Sequence, residues 1–276
     1  MRKPKIQIGY IPLICLAVIW LFPIAWIVLI SFRAEAGAYT SYFLPKRFTF
    51  ANYYTLLTDT TRFKYIRWFL NTLAVASASC ILSAFIVLST AFTLSRLRFA
   101  GRKLIMNALL VLGMFPGFMS MIAVYYVLKG IGLAQSLAAL VLVYGGGASL
   151  GYYVAKGYFD TIPRSIDEAA RLDGATEWHI FTKITIPIAK PIIIYTILTS
   201  FMAPWADFIF PRVILGDKYD NYTIALGLYT MLERGNIETW YTRFAAGAVL
   251  VSIPITILFM YMQKYYVEGT AGATKG

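Results

Sequence analysis

Few residues of this chain have types and spacing that could support catalysis. The run 147–151 matches the G-x-S-x-G pattern of serine hydrolases, whose serine is a nucleophile activated by a histidine. The single histidine, His179, lies in a polar segment outside the apolar run that contains Ser149, so we expect no Ser-His pair. The sequence has no phosphate-binding loop of the G-x-x-x-x-G-K-[ST] type and no His- or Cys-based metal-ligand spacing. We therefore expect no catalytic residue, no metal and no cofactor bound by this chain.

Charged groups are concentrated between residues 160 and 190, where polar side chains interrupt the apolar sequence. Ser165 and Glu168 have the spacing of a capping box, in which each side chain accepts a hydrogen bond from the backbone amide of the other. Pro163, just upstream, also favours a helix start. The pattern predicts a short helix from Ile166 to about Leu172.

The end of that helix and the start of the next are also indicated. Asp173-Gly174 is typical of a helix end, with Gly174 in the left-handed backbone conformation. A second helix is predicted to begin near Thr176. Its spacing places the apolar residues on one face, namely Trp178, Phe181 and Ile184 or Thr185.

Composition indicates that these segments belong to a membrane protein. Of the 276 residues 59% are hydrophobic and 14% charged, whereas soluble domains are about half apolar and about a quarter charged. A spanning helix needs about 20 mostly apolar residues. We predict an all-α integral membrane chain with six spans, at about 10–30, 68–94, 104–128, 137–159, 188–215 and 244–265.

The distribution of basic residues predicts the orientation of the spans. The formal net charge is +12, which we attribute to loops at the membrane surface and not to nucleic-acid binding. The short loop 95–103 contains four basic residues, whereas the short loop 129–136 contains one. Because cytoplasmic loops are enriched in Lys and Arg, both termini are predicted to be cytoplasmic.

The polar segment resembles the EAA loop of permease subunits in binding-protein-dependent ABC importers. That family's pattern is Glu-Ala-Ala, three residues, Gly, nine residues, then Ile-x-Leu-Pro. Here Glu168-Ala169-Ala170, Gly174 and Ile184 to Pro187 fill it, with Ile186 in place of Leu. An ordinary amphipathic helix on the membrane surface would explain the helicity and the charge, but not this spacing.

The resemblance implies a fold, a mechanism and a set of partners. It implies a single transmembrane domain over residues 1–276 in a bacterial cytoplasmic membrane, with a coupling helix in a cytoplasmic EAA loop, residues 160–190, between spans 4 and 5. The implied partners are a second permease subunit, a cytoplasmic ATPase dimer that holds ATP and Mg²⁺, an extracytoplasmic sugar-binding protein, the sugar and membrane lipid. The residues implied to contact the ATPase are Ser165, Glu168, Ala169, Ala170, Asp173, Gly174, Ala175, Ile184 and Pro187.

Three further regions resemble the sugar-importer branch, in particular maltose/maltodextrin permease subunits with a C-terminal tail. They are Asn71-Thr72-Leu73, the loop 95–103 and the ending 263–276, which includes the tail 266–276. In that branch the tail reaches the ATPase, which implies contacts from Glu268, Gly269 and Lys275. The implied function is ATP-driven uptake of an oligosaccharide of the maltodextrin type. Another sugar is an alternative, as is an ion-coupled secondary transporter, which would need carboxylates within the membrane.

Trp205 and Asp207 are candidates for a substrate path. An aromatic face beside a carboxylate suits a sugar, because its apolar ring face stacks and its hydroxyl groups donate hydrogen bonds. A structural role is the alternative that we favour, in which Asp207 pairs with Arg212 or caps a broken helix.

Two long loops outside the predicted spans are rich in aromatic residues, at 32–67 and 216–243. Aromatic side chains are common anchors at the membrane–water interface. They could equally contact a partner outside the membrane, and the sequence leaves both interpretations open.

Overall fold

A computed structural model describes residues 10–38, 40, 42–114, 117–147 and 149–272 of the chain. The described chain is helical, and its one pairing of extended backbone is the isolated bridge between Arg33 and Phe48. The first helices are α1 Tyr10–Ser31, α2 Ala51–Thr58, α3 Tyr65–Arg96, α4 Arg102–Met114, α5 Gly117–Gly130, α6 Leu137–Gly146 and α7 Ser149–Asp160. They are followed by α8 Arg164–Leu172, α9 Glu177–Ile188, α10 Lys190–Ala206, α11 Ile209–Leu215, α12 Ile224–Met231 and α13 Ile237–Gly272.

The chain divides into two compact units. One comprises Met1–Ile66 with Gly227–Ile253, and the other comprises Arg67–Leu226 with Pro254–Gly276. The polar segment predicted to be functional lies wholly in the second unit.

The predicted all-α class is confirmed. Within the described residues, four helical segments are long and apolar enough to cross a membrane, and there are up to six if each of two bent helix pairs counts as one span. The four are Tyr10–Ser31, Tyr65–Arg96, Leu137–Asp160 and Ile237–Gln263. The bent pairs are α4 with α5, at 107°, and α9 with α10, at 85°.

The fifth predicted span, residues 188–215, is not one continuous helix. α10 ends at Ala206, where the backbone of Asp207 becomes extended, and α11 begins at Ile209. The 85° bend before α10 occurs at Ala189, between Pro187 and Pro191. Because a proline cannot donate a backbone hydrogen bond, this pair of prolines favours a change of direction where the polar segment meets the span.

Glycine allows two helices of the second unit to approach closely. A Cβ atom built on Gly145 of α6 would lie 2.6 Å from Leu82 Cδ2 of α3, closer than non-bonded carbons can approach. A Cβ on the adjacent Gly146 would meet no atom within 4 Å. Gly145 therefore allows the close approach of α6 to α3.

The start of α3 holds the loop before α12 by side-chain hydrogen bonds. Asn71 Nδ2 donates to the carbonyl oxygens of Asp220 (2.8 Å) and Tyr222 (3.0 Å). Thr72 Oγ1 accepts from the backbone amide of Ile224 at 2.7 Å. The Asn71-Thr72 pair that resembles the sugar-importer branch thus fixes a loop at one end of the second unit.

Candidate functional site

The polar segment packs on the ends of α3 and α7. Ala170 of α8 and Ile180 and Phe181 of α9 are buried against these helices. The Phe181 ring lies 5.0 Å from that of Phe92, centroid to centroid. This cluster also contains Val87, Leu88, Ala91, Tyr152, Ala155, Phe159, Ile162, Ala189 and Ile192. α8 and α9 are therefore part of the folded core of the second unit.

The predicted capping box is absent. α8 begins at Arg164, two residues earlier than a Ser165 cap requires, and its N-cap residue Pro163 makes no side-chain hydrogen bond. Ser165 therefore lies inside the first turn of the helix, and within the described residues no hydrogen bond joins it to Glu168. Glu168 is exposed, and within the described residues its carboxylate makes no hydrogen bond or ion pair.

The predicted end of α8 is confirmed. Gly174 has φ of +83°, in the left-handed region that glycine adopts without steric cost. Its amide donates to Arg171 O at 3.0 Å, and the amide of Ala175 donates to Ala170 O at 2.9 Å. These two bonds form a Schellman motif, which satisfies the last carbonyl groups of the helix and fixes the turn into α9.

A buried ion pair attaches α8 to the end of α3. Arg96 Nε lies 3.0 Å from Asp167 Oδ2, and the two side chains are only 2% and 3% exposed. Arg96 also donates from Nη2 to Ile162 O at 2.9 Å. Ser95 Oγ donates to Asp160 Oδ1 at 2.6 Å, which ties the same end of α3 to the end of α7. Neither Arg96 nor Asp167 was predicted from the sequence to be a site residue.

The opposite side of α8 is uncovered. Glu168 and Ala169 are exposed, and Leu172 is 90% exposed, which is unusual for a leucine in a folded core segment. We call Glu168, Ala169 and Leu172 the outer face of α8. Ala170, predicted to contact a partner with Ala169, instead faces the core of this chain.

α9 begins where predicted. Thr176 is its N-cap, and Thr176 Oγ1 accepts from the His179 amide at 3.3 Å. Trp178 and Phe181, predicted to share one face, have ring centroids 5.7 Å apart, but Trp178 is exposed whereas Phe181 and Thr185 are buried. The central residues Ile180–Thr185 are π-helical, which changes the spacing of the side chains around the helix.

The remaining predicted residues of α9 lie toward the bend. Ile184 packs partly buried against the core cluster, and Pro187 is exposed. Arg171 of α8 donates from Nε to Glu177 Oε1 at 2.8 Å, which joins α8 to α9 at the surface. This hydrogen bond raises the pKa of Arg171 above its ordinary value, so its charge is retained.

A polar cavity of about 430 Å³ is lined by the end of α3, the loop that follows it, α8 and the first turn of α9. Four arginines and three carboxylates line it. Two of the carboxylates are paired with arginines, Asp167 with Arg96 and Glu177 with Arg171. The lining residues are Arg96, Leu97, Arg98, Arg164, Asp167, Glu168, Arg171 and Glu177. The cavity adjoins the outer face of α8 through Glu168.

Asp207 has a structural role. Its Oδ1 accepts from the amides of Ile209 (3.0 Å) and Phe210 (3.1 Å), and Tyr144 Oη donates to its Oδ2 at 3.0 Å. The broken-helix cap was one of the two structural alternatives and is confirmed. The other was wrong, because Arg212 donates to Tyr222 Oη.

Trp205 is buried and lies edge-on to Phe69, with ring centroids 5.2 Å apart. The predicted tail contacts are not located by the structure. Glu268 and Gly269 belong to the last turns of α13, and Lys275 lies outside the described residues.

Comparison with known proteins identifies the family. Residues 85–271 match the family described as binding-protein-dependent transport system inner membrane component. The galactooligosaccharides transport system permease protein GanQ of Bacillus subtilis (strain 168) is 34% identical, covering 100% of this chain and 97% of the relative. The maltodextrin transport system permease protein MdxG of the same strain is 35% identical, covering 97% and 95%. The maltose/maltodextrin transport system permease protein MalG of Escherichia coli (strain K12) is 30% identical, covering 100% and 97%.

Solved structures show the same fold. A bacterial ABC transporter involved in the import of the acidic polysaccharide alginate has a chain with a TM-score of 0.79 and 22% identity, covering 96% of this chain and 100% of its own. A chain of the MetNI methionine ABC transporter gives a TM-score of 0.55 at 17% identity, covering 74% and 95%. The family match over residues 85–271 and the relatives that are 30% to 35% identical show that the chain belongs to the inner membrane components of binding-protein-dependent transport systems.

Proposed function

We propose that this chain is the permease subunit of an ATP-driven oligosaccharide importer and that α8 is its coupling helix. One observation supports the coupling role most strongly. α8 is held to α3 by the buried Arg96–Asp167 pair, while Leu172 and the rest of its outer face are exposed. A helix attached firmly on one side, with an almost fully exposed leucine on its uncovered side, is suited to a partner protein.

The proposed mechanism uses α8 as a rigid connection. The partner ATPase subunits, which hold ATP and Mg²⁺, close on nucleotide binding and move the helices seated on them. Arg96 passes the displacement of α8 to α3, and the bend at Ala189 passes it from α9 to α10. The Gly174 turn keeps α8 and α9 in a fixed relation, so that motion is transmitted and not absorbed. As the spans tilt in one direction and then back, the substrate path opens first to one side of the membrane and then to the other.

The proposed topology has six spans, with both termini and the α8–α9 segment in the cytoplasm. The count requires that α4 with α5 form one span. It also requires that α10 with α11 form another, because α9 of the bent α9–α10 pair is assigned to the cytoplasm. The basic residues where α3 meets α4 support the orientation, because Arg98 of the loop and Arg102 and Lys103 at the start of α4 would then be on the cytoplasmic side. The implied assembly contains a second permease subunit, an ATPase dimer and an extracytoplasmic binding protein.

The proposed substrate class is a neutral oligosaccharide. Relatives of similar identity are named for galactooligosaccharides and for maltodextrin, so both sugars are candidates. Trp205 and Asp207 are not proposed as sugar ligands, because Trp205 is packed against Phe69 and both carboxylate oxygens of Asp207 accept hydrogen bonds from this chain.

The tail is proposed as a second contact with the ATPase, through Glu268, Gly269 and Lys275. Deleting residues 269–276 should leave membrane insertion intact and weaken ATPase association. Co-purification of the ATPase with the truncated and full-length chains measures this. Equal recovery of the ATPase, with equal stimulation, would contradict the tail contact.

The function is tested by reconstituting the chain with its partner subunits and binding protein in proteoliposomes. Uptake of labelled maltodextrin and of labelled galactooligosaccharide is measured with and without internal ATP. We expect ATP-dependent uptake of at least one of them. Uptake that persists without the ATPase and stops when ion gradients are dissipated would instead identify an ion-coupled secondary transporter.

A further inference from the structure

The loop between α1 and α2 places an unusual group of apolar side chains at the surface of the first unit. Leu44 is 62% exposed and Phe50 is 75% exposed, and aromatic neighbours in the loop and in α2 are equally uncovered. We call this group the aromatic patch and define it as Phe43, Leu44, Phe48, Phe50 and Tyr54. On a water-exposed loop, so many adjacent apolar side chains indicate an interaction surface.

Ring contacts with α1 indicate how deep in the membrane Phe43 lies. Phe43 lies against Trp26 (4.6 Å) and Phe22 (5.6 Å) of α1, centroid to centroid. α1 has 22 residues, and at about 1.5 Å per residue it is about as long as the ~30 Å hydrocarbon layer is thick. Phe22 precedes Ser31 by nine residues, so it lies about 13 Å from that end of α1. Phe43 therefore lies beside a part of α1 that is within the membrane.

Backbone hydrogen bonds hold Phe48 and Phe50 close to the C-terminal end of α1. The amide of Thr49 donates to Phe32 O at 2.7 Å, and Phe48 pairs with Arg33 in the isolated bridge. Phe50 lies edge-on to Phe32, with centroids 5.3 Å apart. Since Phe32 directly follows the last residue of α1, Phe48 and Phe50 are held at the level where α1 leaves the membrane.

α2 is oriented by its buried side. Asn52 donates to Ser31 O (3.0 Å) and Arg33 O (2.8 Å) and accepts from Thr242 Oγ1 at 3.1 Å, so this face is fixed toward the interior of the first unit. Tyr54 projects from the exposed face of the same helix. α2 thus presents one apolar face at the membrane boundary.

The charges beside the patch match lipid headgroups. Lys46 and Arg47 are both exposed, and Lys46 Nζ lies 4.7 Å from the centre of the Tyr42 ring. Cations next to aromatic residues are typical of the interface, where headgroup phosphates attract the charge and the rings fill the boundary layer. We propose that the aromatic patch is a lipid-inserted anchor, with Phe43 and Leu44 in the acyl region and Phe48, Phe50 and Tyr54 at headgroup level.

This inference depends on α1 crossing the membrane and not on the coupling role of α8 or the sugar. Its test uses the assembled transporter in liposomes, with single cysteines at Leu44 or Tyr54 in a chain lacking Cys15 and Cys80. A nitroxide label at each site is exposed to oxygen, which concentrates in lipid, and to a water-soluble nickel chelate. Arg234, an exposed polar residue of the same unit, is the control site.

We expect oxygen to relax the labels at Leu44 and Tyr54 more than the nickel chelate does, and the difference should be larger at Leu44. At Arg234 the nickel chelate should relax the label more than oxygen does. Greater nickel accessibility at Leu44 would overturn the proposal. Inaccessibility to both reagents would also overturn it, because a protein subunit would then cover the patch. Protection of Tyr54 only when the binding protein is added would identify a docking surface for that protein instead.

A second measurement needs no substitution. The unmodified complex is illuminated with a phospholipid that has a diazirine near its headgroup, and the adducts are mapped on tryptic peptides. We expect adducts in the peptides that contain residues 34–46 and 48–62. Labelling of α1 peptides without labelling of either loop peptide would contradict insertion.

Discussion

Asp167 fixes the position of α8 more directly than the Glu-Ala-Ala residues do. Its partner Arg96 is almost fully buried, so removing the carboxylate leaves an uncompensated charge in the core. The neighbouring Glu168 makes no such contact within the described residues and is exposed. At the level of residues, Asp167 is assigned a stabilising role, whereas partner contact is proposed for the adjacent Glu168, about 100° further round the same helix.

The first prediction concerns this ion pair. Asp167→Ala should lower the free energy of unfolding of the second unit by about 3–5 kcal/mol, the usual cost of breaking a buried pair. Glu177→Ala breaks the exposed pair with Arg171 and should cost at most about 1 kcal/mol. Thermal unfolding of the purified variants in detergent measures the difference. Equal midpoints for the two variants would contradict the anchoring role of Asp167.

The second prediction concerns the turn after α8. Gly174 has positive φ and no atom within 4 Å of its Cβ position, so a substitution there is opposed by backbone strain and not by a clash. Gly174→Val should cost about 1–2 kcal/mol or more and abolish uptake, whereas Gly174→Asn should retain much of the activity because Asn tolerates this conformation.

Gly157 of α7 is the control for Gly174. It also has open space at its Cβ position but no positive φ, so Gly157→Ala should be tolerated. Uptake and unfolding are measured for all three variants at matched expression. Normal uptake by Gly174→Val would show that the left-handed turn is not needed for function.

The Gly174 turn could be predicted from sequence because its signal is local, a glycine immediately after a helical pattern. The Arg96–Asp167 pair could not, because its partners lie on different helices and nothing in the sequence specifies which arginine of the loop 95–103 is buried. The predicted capping box failed for a related reason. The helix begins at Arg164, directly after Pro163, which leaves Ser165 inside the first turn.

Among the elements, the polar segment was delimited well and the spans less well. The change from apolar to charged residues marks α8 and α9 clearly. The shared face of Trp178 and Phe181 could be predicted from their spacing, but the sequence did not indicate that Trp178 is exposed while Phe181 is buried. The break between α10 and α11 was predicted only indirectly, as the broken helix that Asp207 would cap in one of its structural alternatives. An apolar sequence does not indicate where a helix is interrupted.

The third prediction concerns packing between α3 and α6. Gly145→Ala would place a methyl group 2.6 Å from Leu82 Cδ2 and should cost about 1–3 kcal/mol through overpacking. Gly146→Ala, with no atom within 4 Å, is the matched control and should be neutral or slightly stabilising. Leu82→Ala should recover part of the loss caused by Gly145→Ala. Equal unfolding midpoints for the two glycine variants would contradict this contact.

At the level of the whole molecule, composition alone predicted a helical membrane chain, and the family followed from the spacing of one polar loop. The orientation in the membrane remains a prediction from charge. Gly101 and Gly132, at the tips of the two short loops, have positive φ and are poor positions for a cysteine probe. Their exposed neighbours Ala100 and Ile131 avoid this strain.

The fourth prediction tests that orientation. In a background lacking Cys15 and Cys80, a cysteine at Ile131 should react with an impermeant reagent added outside intact cells. A cysteine at Ala100 should react only after the membrane is opened. Labelling of Ala100 but not Ile131 in intact cells would show that the topology is inverted.

The central claim is that the outer face of α8 contacts the ATPase subunit. A photoreactive amino acid at Leu172 tests it most directly, with Leu150, an exposed residue of α7, as the control position. On illumination of the complete transporter, we predict an adduct between this chain and the ATPase from Leu172 and none from Leu150. An intact complex that yields no ATPase adduct from Leu172, or yields it equally from Leu150, would contradict the assignment of α8 as the coupling helix.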